Sequence, residues 1–107
     1  MTRPGLTRMT KIEVVVTGDD VAAVEGVFTA SGASGYTVLS SVSGLGHGGF
    51  HQGSLHFNDR DTLRMIIGVV TDDNAESVVS SLRKLFETRP GVVFVTDTYV
   101  SRPEYFT

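Results

Sequence analysis

The chain contains no cysteine, which excludes a disulfide framework, a thiol nucleophile and a zinc–thiolate centre. No apolar run approaches the length that a membrane span requires. Residues 1–11 carry Arg3, Arg8 and Lys11 but no apolar stretch, so they do not read as a secretory signal. They read as a short flexible arm over residues 1–10, ahead of one domain over residues 11–107. Basic residues are in the minority: nine Lys and Arg stand against twelve Asp and Glu, for a net charge of −3. Nucleic-acid binding asks for the opposite balance, a basic stripe. No Ser–His–acid order and no acidic triad with metal spacing stands out, so the sequence gives no support for catalysis. A cytoplasmic setting is the expectation.

What is present is enough for one domain with a modest core. Lys11–Thr17 is rich in β-branched residues and reads as a strand. Val21, Val24 and Phe28 recur at helical spacing, which predicts a helix over Asp20–Ser31 stopped by Gly32. Tyr36–Ser43 and Thr62–Thr71 read as two further strands. Val78, Leu82, Leu85 and Phe86 line one face of a helix over Asn74–Glu87, ended by Pro90 and Gly91. Val92–Thr98 is the last strand, and residues 99–107 form a tail. Asp19, Asp20, Asp72 and Asp73 precede the helices and read as caps, with Asp73 and Glu76 at capping-box-like spacing. Val15 to Asp20 and Val69 to Asp73 repeat one pattern: a β-branched strand end, a threonine, then acidic residues opening a helix. Two such halves in the order βαββαβ make a ferredoxin-like α+β sandwich. Both helices then cover one sheet face, and nothing remains to cover the other. A bare apolar face is too large a patch for a stable monomer, so the open faces are expected to pack together in an oligomer.

Gly44–Gly53 has five glycines in ten residues. Glycine loses much backbone entropy on ordering, so a long irregular loop is expected over residues 44–61, and loops of that length in small domains are usually functional. Consecutive N–H groups in Gly44-Leu45-Gly46-His47-Gly48-Gly49 can converge on a small anion as a nest. Gly46 and Gly48 are the candidate anion contacts. Arg60 and Arg64, at the end of the loop, can bring a guanidinium fork to bicarbonate or phosphate. The same glycines also fit a role in flexibility alone, and the arginines a solvated one. His47 and His51 are four apart, a metal-binding spacing on a helix only, and the glycines disfavour a helix; no metal is expected. A loop histidine contacting phosphate, or titrating near neutral pH, is the more plausible role. Phe50 is either a small anchor or a partner-facing residue.

This order of elements, with a glycine-rich loop between the second and third core strands, resembles the PII-like signalling proteins. The resemblance is carried by Gly35-Tyr36-Thr37-Val38, by Ser43-Gly44-Leu45-Gly46, and by Val92-Val93-Phe94-Val95 after Gly91. It implies a homotrimer with adenine nucleotides in clefts between subunits and a mobile T-loop, about residues 44–61, that reports on the ligand. Thr37, Gly44, Leu45, Gly46, His47 and Arg64 would line the nucleotide cleft, with backbone near Val69 at the adenine. The Thr37 hydroxyl suits an adenine edge, though β-propensity explains a strand threonine equally well. Arg89, Gly91 and Arg102 would approach the phosphates from the neighbouring subunit.

The chain departs from the family pattern in three places. Glu87-Thr88-Arg89-Pro90-Gly91-Val92 stands where relatives carry a Gly-Asp-Gly-Lys phosphate grip. The usual pair of arginines after the last strand is reduced to Arg102. The loop has no tyrosine to be nucleotidylated. These features resemble the carboxysome-associated PII-like branch, which implies ADP or AMP in preference to ATP, bicarbonate as a second ligand, and no catalytic cofactor. They also imply a protein partner, a transporter or a carboxysome-related component, contacted through the T-loop. Two other readings remain: a small dimeric α+β barrel enzyme with His47 or His51 as base, and a cation-tolerance-like trimer without nucleotide. Solution mass separates the first from a trimer, and adenylate binding separates the second.

Overall fold

The computed structural model describes residues 3–42, 44–46, 49–51 and 62–107. The elements are β1 (Thr7–Thr17), α1 (Val21–Ala30), β2 (Thr37–Val42), β3 (Gly44–Gly46), β4 (Gly49–His51), β5 (Leu63–Val70), α2 (Asp72–Leu85) and β6 (Val92–Val100). Four strands form one sheet in the order β2-β5-β1-β6, and every neighbouring pair is antiparallel. β1 and β2 are therefore parallel with β5 between them, and β5 and β6 are parallel with β1 between them. This is the expected split βαβ, ferredoxin-like arrangement.

Alternation along β1 and β5 puts Ile12, Val14, Val16, Ile66 and Val70 under the helices, where they meet Val24 and Phe28 of α1 and Ala75, Val78 and Leu82 of α2. Gly68 sits opposite Phe28, whose ring occupies the space a Cβ would need. Of the helical stripes expected from sequence, Val24, Phe28, Val78 and Leu82 are buried, and Val21, Leu85 and Phe86 are partly buried against them. Gly32, at φ +87°, ends α1 in a conformation that L side chains rarely adopt. Asn74 Nδ2 donates to the Gly32 carbonyl at 3.3 Å and ties α2 to that turn.

Several boundaries differ from expectation. β1 begins at Thr7, not Lys11, so residues 7–10 of the expected arm belong to the strand. Thr7, Arg8, Met9 and Thr10 pair with Val100, Tyr99, Thr98 and Asp97, and Met9 and Thr10 are buried. β6 accordingly continues to Val100. Part of the stretch expected to be irregular is a hairpin: Gly44, Leu45 and Gly46 pair with His51, Phe50 and Gly49. Antiparallel pairing uses only backbone groups, so glycine weakens such a ladder without forbidding it. Asp20 and Asp72 do not cap through their side chains. Thr71 is the N-cap of α2 and its Oγ1 accepts from Asn74 N, while Asp20 makes no cap bond to α1. Asp72 instead receives Arg8 and, at 2.8 Å, the Thr10 hydroxyl; Arg8 also donates to Asp97 at 2.9 Å. The Thr10 hydroxyl, then Arg8, hold the Asp72 carboxyl below its ordinary pKa.

The second sheet face is open among the described residues. Register places Leu39, Met65, Val15 and Val92 side by side across the four strands, with Thr37, Ile67, Glu13 and Phe94 as the next row. Leu39 is 45%, Val92 51% and Phe94 52% exposed. Lys11 and Glu13 sit on the same face, with Nζ and Oε1 3.7 Å apart.

Candidate functional site

Strand direction sorts the candidate residues. β1 ends, β5 begins, β2 ends and β6 begins at one edge of the sheet. That edge gathers the turn at Gly18–Asp20, the base of the glycine hairpin at Gly44–Gly46, Arg64 in β5, and Arg89 and Gly91 before β6. Gly18 N donates to the Thr62 carbonyl at 2.8 Å, which joins the turn after β1 to the residue before β5. Arg64 is in register with Val16 and its Nη1 lies 3.4 Å from the Leu63 carbonyl.

Arg89 is anchored at this edge by Asp20. Nε donates to Oδ1 at 3.0 Å; the Asp20 side chain is 7% exposed and that of Arg89 45%. Asp20 Oδ2 is buried and has no hydrogen-bond partner among the described residues. An unpaired buried acceptor of this kind costs about 1–3 kcal/mol, so the contact is held against some loss of stability. Gly91 is required for packing: a Cβ there would run into the Phe86 ring. That alone explains a glycine at this position, and it fixes the path of the loop that carries Arg89.

Other expected residues are not brought to this edge. Thr37 and Val69 lie on the open sheet face, in register with Ile67 and Lys11 respectively. Arg102 follows the far end of β6, where its Nη1 donates to the Tyr105 hydroxyl at 3.0 Å and its guanidinium stacks 5.6 Å from that ring. Nine residues of extended chain, about 30 Å, separate Gly91 from Arg102 along β6. Arg89 and Gly91 therefore lie at the opposite end of β6 from Arg102 of the same chain. His47, Gly48 and Arg60 lie outside the described residues, and for Gly44, Leu45 and Gly46 only the backbone is described. Among the described residues no group of three or more His, Cys, Asp or Glu is placed to hold a metal.

The arrangement is suited to binding anions. It offers a half-exposed guanidinium held on a buried carboxylate, at the end of the sheet where β2 leads into the glycine hairpin. A cavity of about 270 Å³ lies at the opposite edge, lined by Thr7, Arg8, Met9, Asp72, Pro103 and Thr107, none of them an expected ligand residue. Asp20 was missed as a member of the site because its partner is 69 residues away and its position before a helix suggests a cap. The parity of the open face was also invisible before the register was known.

No curated protein matches this chain significantly, but solved structures match it closely. It is similar to CPII, a nitrogen regulatory PII-like protein from Thiomonas intermedia K12, bound to ADP, AMP and bicarbonate. The identity is 34%, the TM-score 0.89, and 94% of this chain and 95% of that one are covered. A second structure of CPII, bound to ADP and bicarbonate, matches at 31% identity and TM-score 0.84, over 95% and 97% of the two chains. A PII-like protein from Thermus thermophilus, 17% identical over 95% and 98% of the two chains, shares the fold at TM-score 0.81. The family model described as nitrogen regulatory protein P-II matches residues 9–105. The chain belongs to the nitrogen regulatory protein P-II family and is a PII-like regulatory protein.

Proposed function

We propose that this protein is a non-enzymatic, homotrimeric sensor of ADP and AMP that takes bicarbonate as a second ligand and regulates a partner in inorganic-carbon metabolism. The observation that carries the reading is the 34% identity to CPII over 94% of the chain, since that protein's structure holds ADP, AMP and bicarbonate. The open sheet face supports assembly, because Leu39, Val92 and Phe94 form part of an apolar surface that sister chains can bury.

In the assembled protein the phosphates sit at the sheet edge that carries Arg89 and the base of the glycine hairpin. Gly44, Leu45 and Gly46 contribute backbone N–H groups, and Arg64 supplies further positive charge. Gly91 lets the Arg89 loop pass close to Phe86. Arg102, at the far edge, reaches the phosphates of a neighbouring copy's site. Thr37 and Val69 address the adenine from the sheet face. His47 belongs to the nucleotide cleft, and Gly46, Gly48 and Arg60 to the bicarbonate side of the T-loop. Ligand can move the loop only by binding its two states with different affinity, and the contacts to Gly44–Gly46 supply that difference. The loop then favours or blocks a protein partner, a transporter or a carboxysome-related component, in the cytoplasm.

Titration calorimetry with ADP, AMP and ATP, with and without bicarbonate, tests the reading. The expected result is binding of ADP and AMP in preference to ATP, strengthened by bicarbonate. Absence of heat with every adenylate refutes it. A solution mass of two chains would favour an α+β barrel instead.

A further inference from the structure

We infer that Asp20 is a positioning residue that fixes which edge of the Arg89 guanidinium faces the nucleotide phosphates; the inference rests on the adenylate reading above. Asp20 is 5% exposed, so its carboxylate has little freedom to turn. It takes Arg89 through Nε alone, at 3.0 Å, and Oδ2 takes no bond among the described residues. A carboxylate arranged only for its own pairing with arginine would take two parallel bonds. This one gives up the second. Nε and the Nη1/Nη2 pair lie on different edges of a planar group, so gripping Nε leaves the terminal fork to a second anion. That fork matches two oxygens of one phosphate.

Both ends of the contact stand on anchored backbone. The Gly18 N–H bond to the Thr62 carbonyl fixes the turn that carries Asp20. The seat of Gly91 against Phe86 fixes the loop that carries Arg89. The guanidinium is half-exposed, at the same edge as Gly44–Gly46. A lysine at position 89 would present a compact ammonium instead, which cannot offer two distinct edges to carboxylate and phosphate.

The test compares ADP with adenosine on the full-length protein. Asp20→Asn keeps the shape and an acceptor for Nε but removes the charge that fixes it. It is expected to weaken ADP about tenfold and leave adenosine affinity unchanged. Arg89→Lys is expected to do the same, and the double variant to lose no more than Arg89→Lys alone, because Asp20 acts through Arg89. Unchanged ADP affinity in Asp20→Asn, equal losses for ADP and adenosine, or additive losses in the double variant overturn the inference. If thermal melting shows that Asp20→Asn does not fold, the crystal structure of the wild-type ADP complex decides. Nη1 and Nη2 on phosphate oxygens with Nε still on Asp20 bears the inference out; Arg89 turned away from Asp20, or from the phosphates, overturns it. Wild-type protein that ignores ADP refutes the proposed function instead.

Discussion

Replacing Phe94 with serine tests the open sheet face directly. Phe94 lies on the edge strand β6, in register with Glu13, and is 52% exposed in the single chain. A phenylalanine presents about 200 Å², so about 100 Å² remains for a partner to cover. At about 25 cal/mol per Å² that is about 2.5 kcal/mol for each copy. Over the three copies of a trimer the loss is about 7 kcal/mol, or about 10⁵-fold in the assembly constant. The substitution removes little from the chain's own core, because Phe94 is not among the residues packed around Phe28 and Ile66. Phe94→Ser is therefore expected to melt as a folded monomer at concentrations where the proposed trimer predicts that the wild type sediments as three chains. Sedimentation across a dilution series measures this. A variant that stays assembled to the same dilution as wild type would show that this face is not the interface.

Other substitutions probe the fold and the site. Gly68→Ala drives a Cβ into the Phe28 ring and is expected to cost about 1–3 kcal/mol, read as a lower midpoint in urea; an unchanged midpoint would mean that Phe28 moves aside freely. Thr71→Ala removes the acceptor for Asn74 N and is expected to cost about 1 kcal/mol in the same assay. Asp72 has a depressed folded-state pKa, chiefly through the Thr10 hydroxyl and then Arg8. Its contribution is present above the ordinary aspartate pKa and is lost as pH falls through the depressed one. The melting temperatures of wild type and Asp72→Asn should differ at neutral pH and converge in strong acid; a difference that persists at low pH would contradict the pairing with Arg8 and Thr10.

The parts of the structure that follow from local pattern could be read from the sequence. Val24 and Phe28, and Val78 and Leu82, mark the buried helix faces by spacing alone, and β-branched runs mark β1, β5 and β6. What escaped depends on partners far along the chain. Thr7–Thr10 extend β1 because residues 97–100 lie beside them. Asp20 and Asp72 resemble caps until Arg89 and Arg8 are in place, 69 and 64 residues away. Glycine density argued against strands at Gly44–His51, yet a hairpin ladder needs only backbone. The separation of Arg89 from Arg102 was also hidden, because sequence distance says nothing about strand direction: β6 carries the two to opposite ends of the sheet.

The most direct measurement is an ADP binding isotherm taken at protein concentrations above and below the point where the assembly dissociates. If the nucleotide is held between copies, one chain supplying Arg89 and its neighbour Arg102, affinity should collapse together with assembly. Equal ADP binding by isolated single chains, or no ADP binding by the intact assembly, would contradict it.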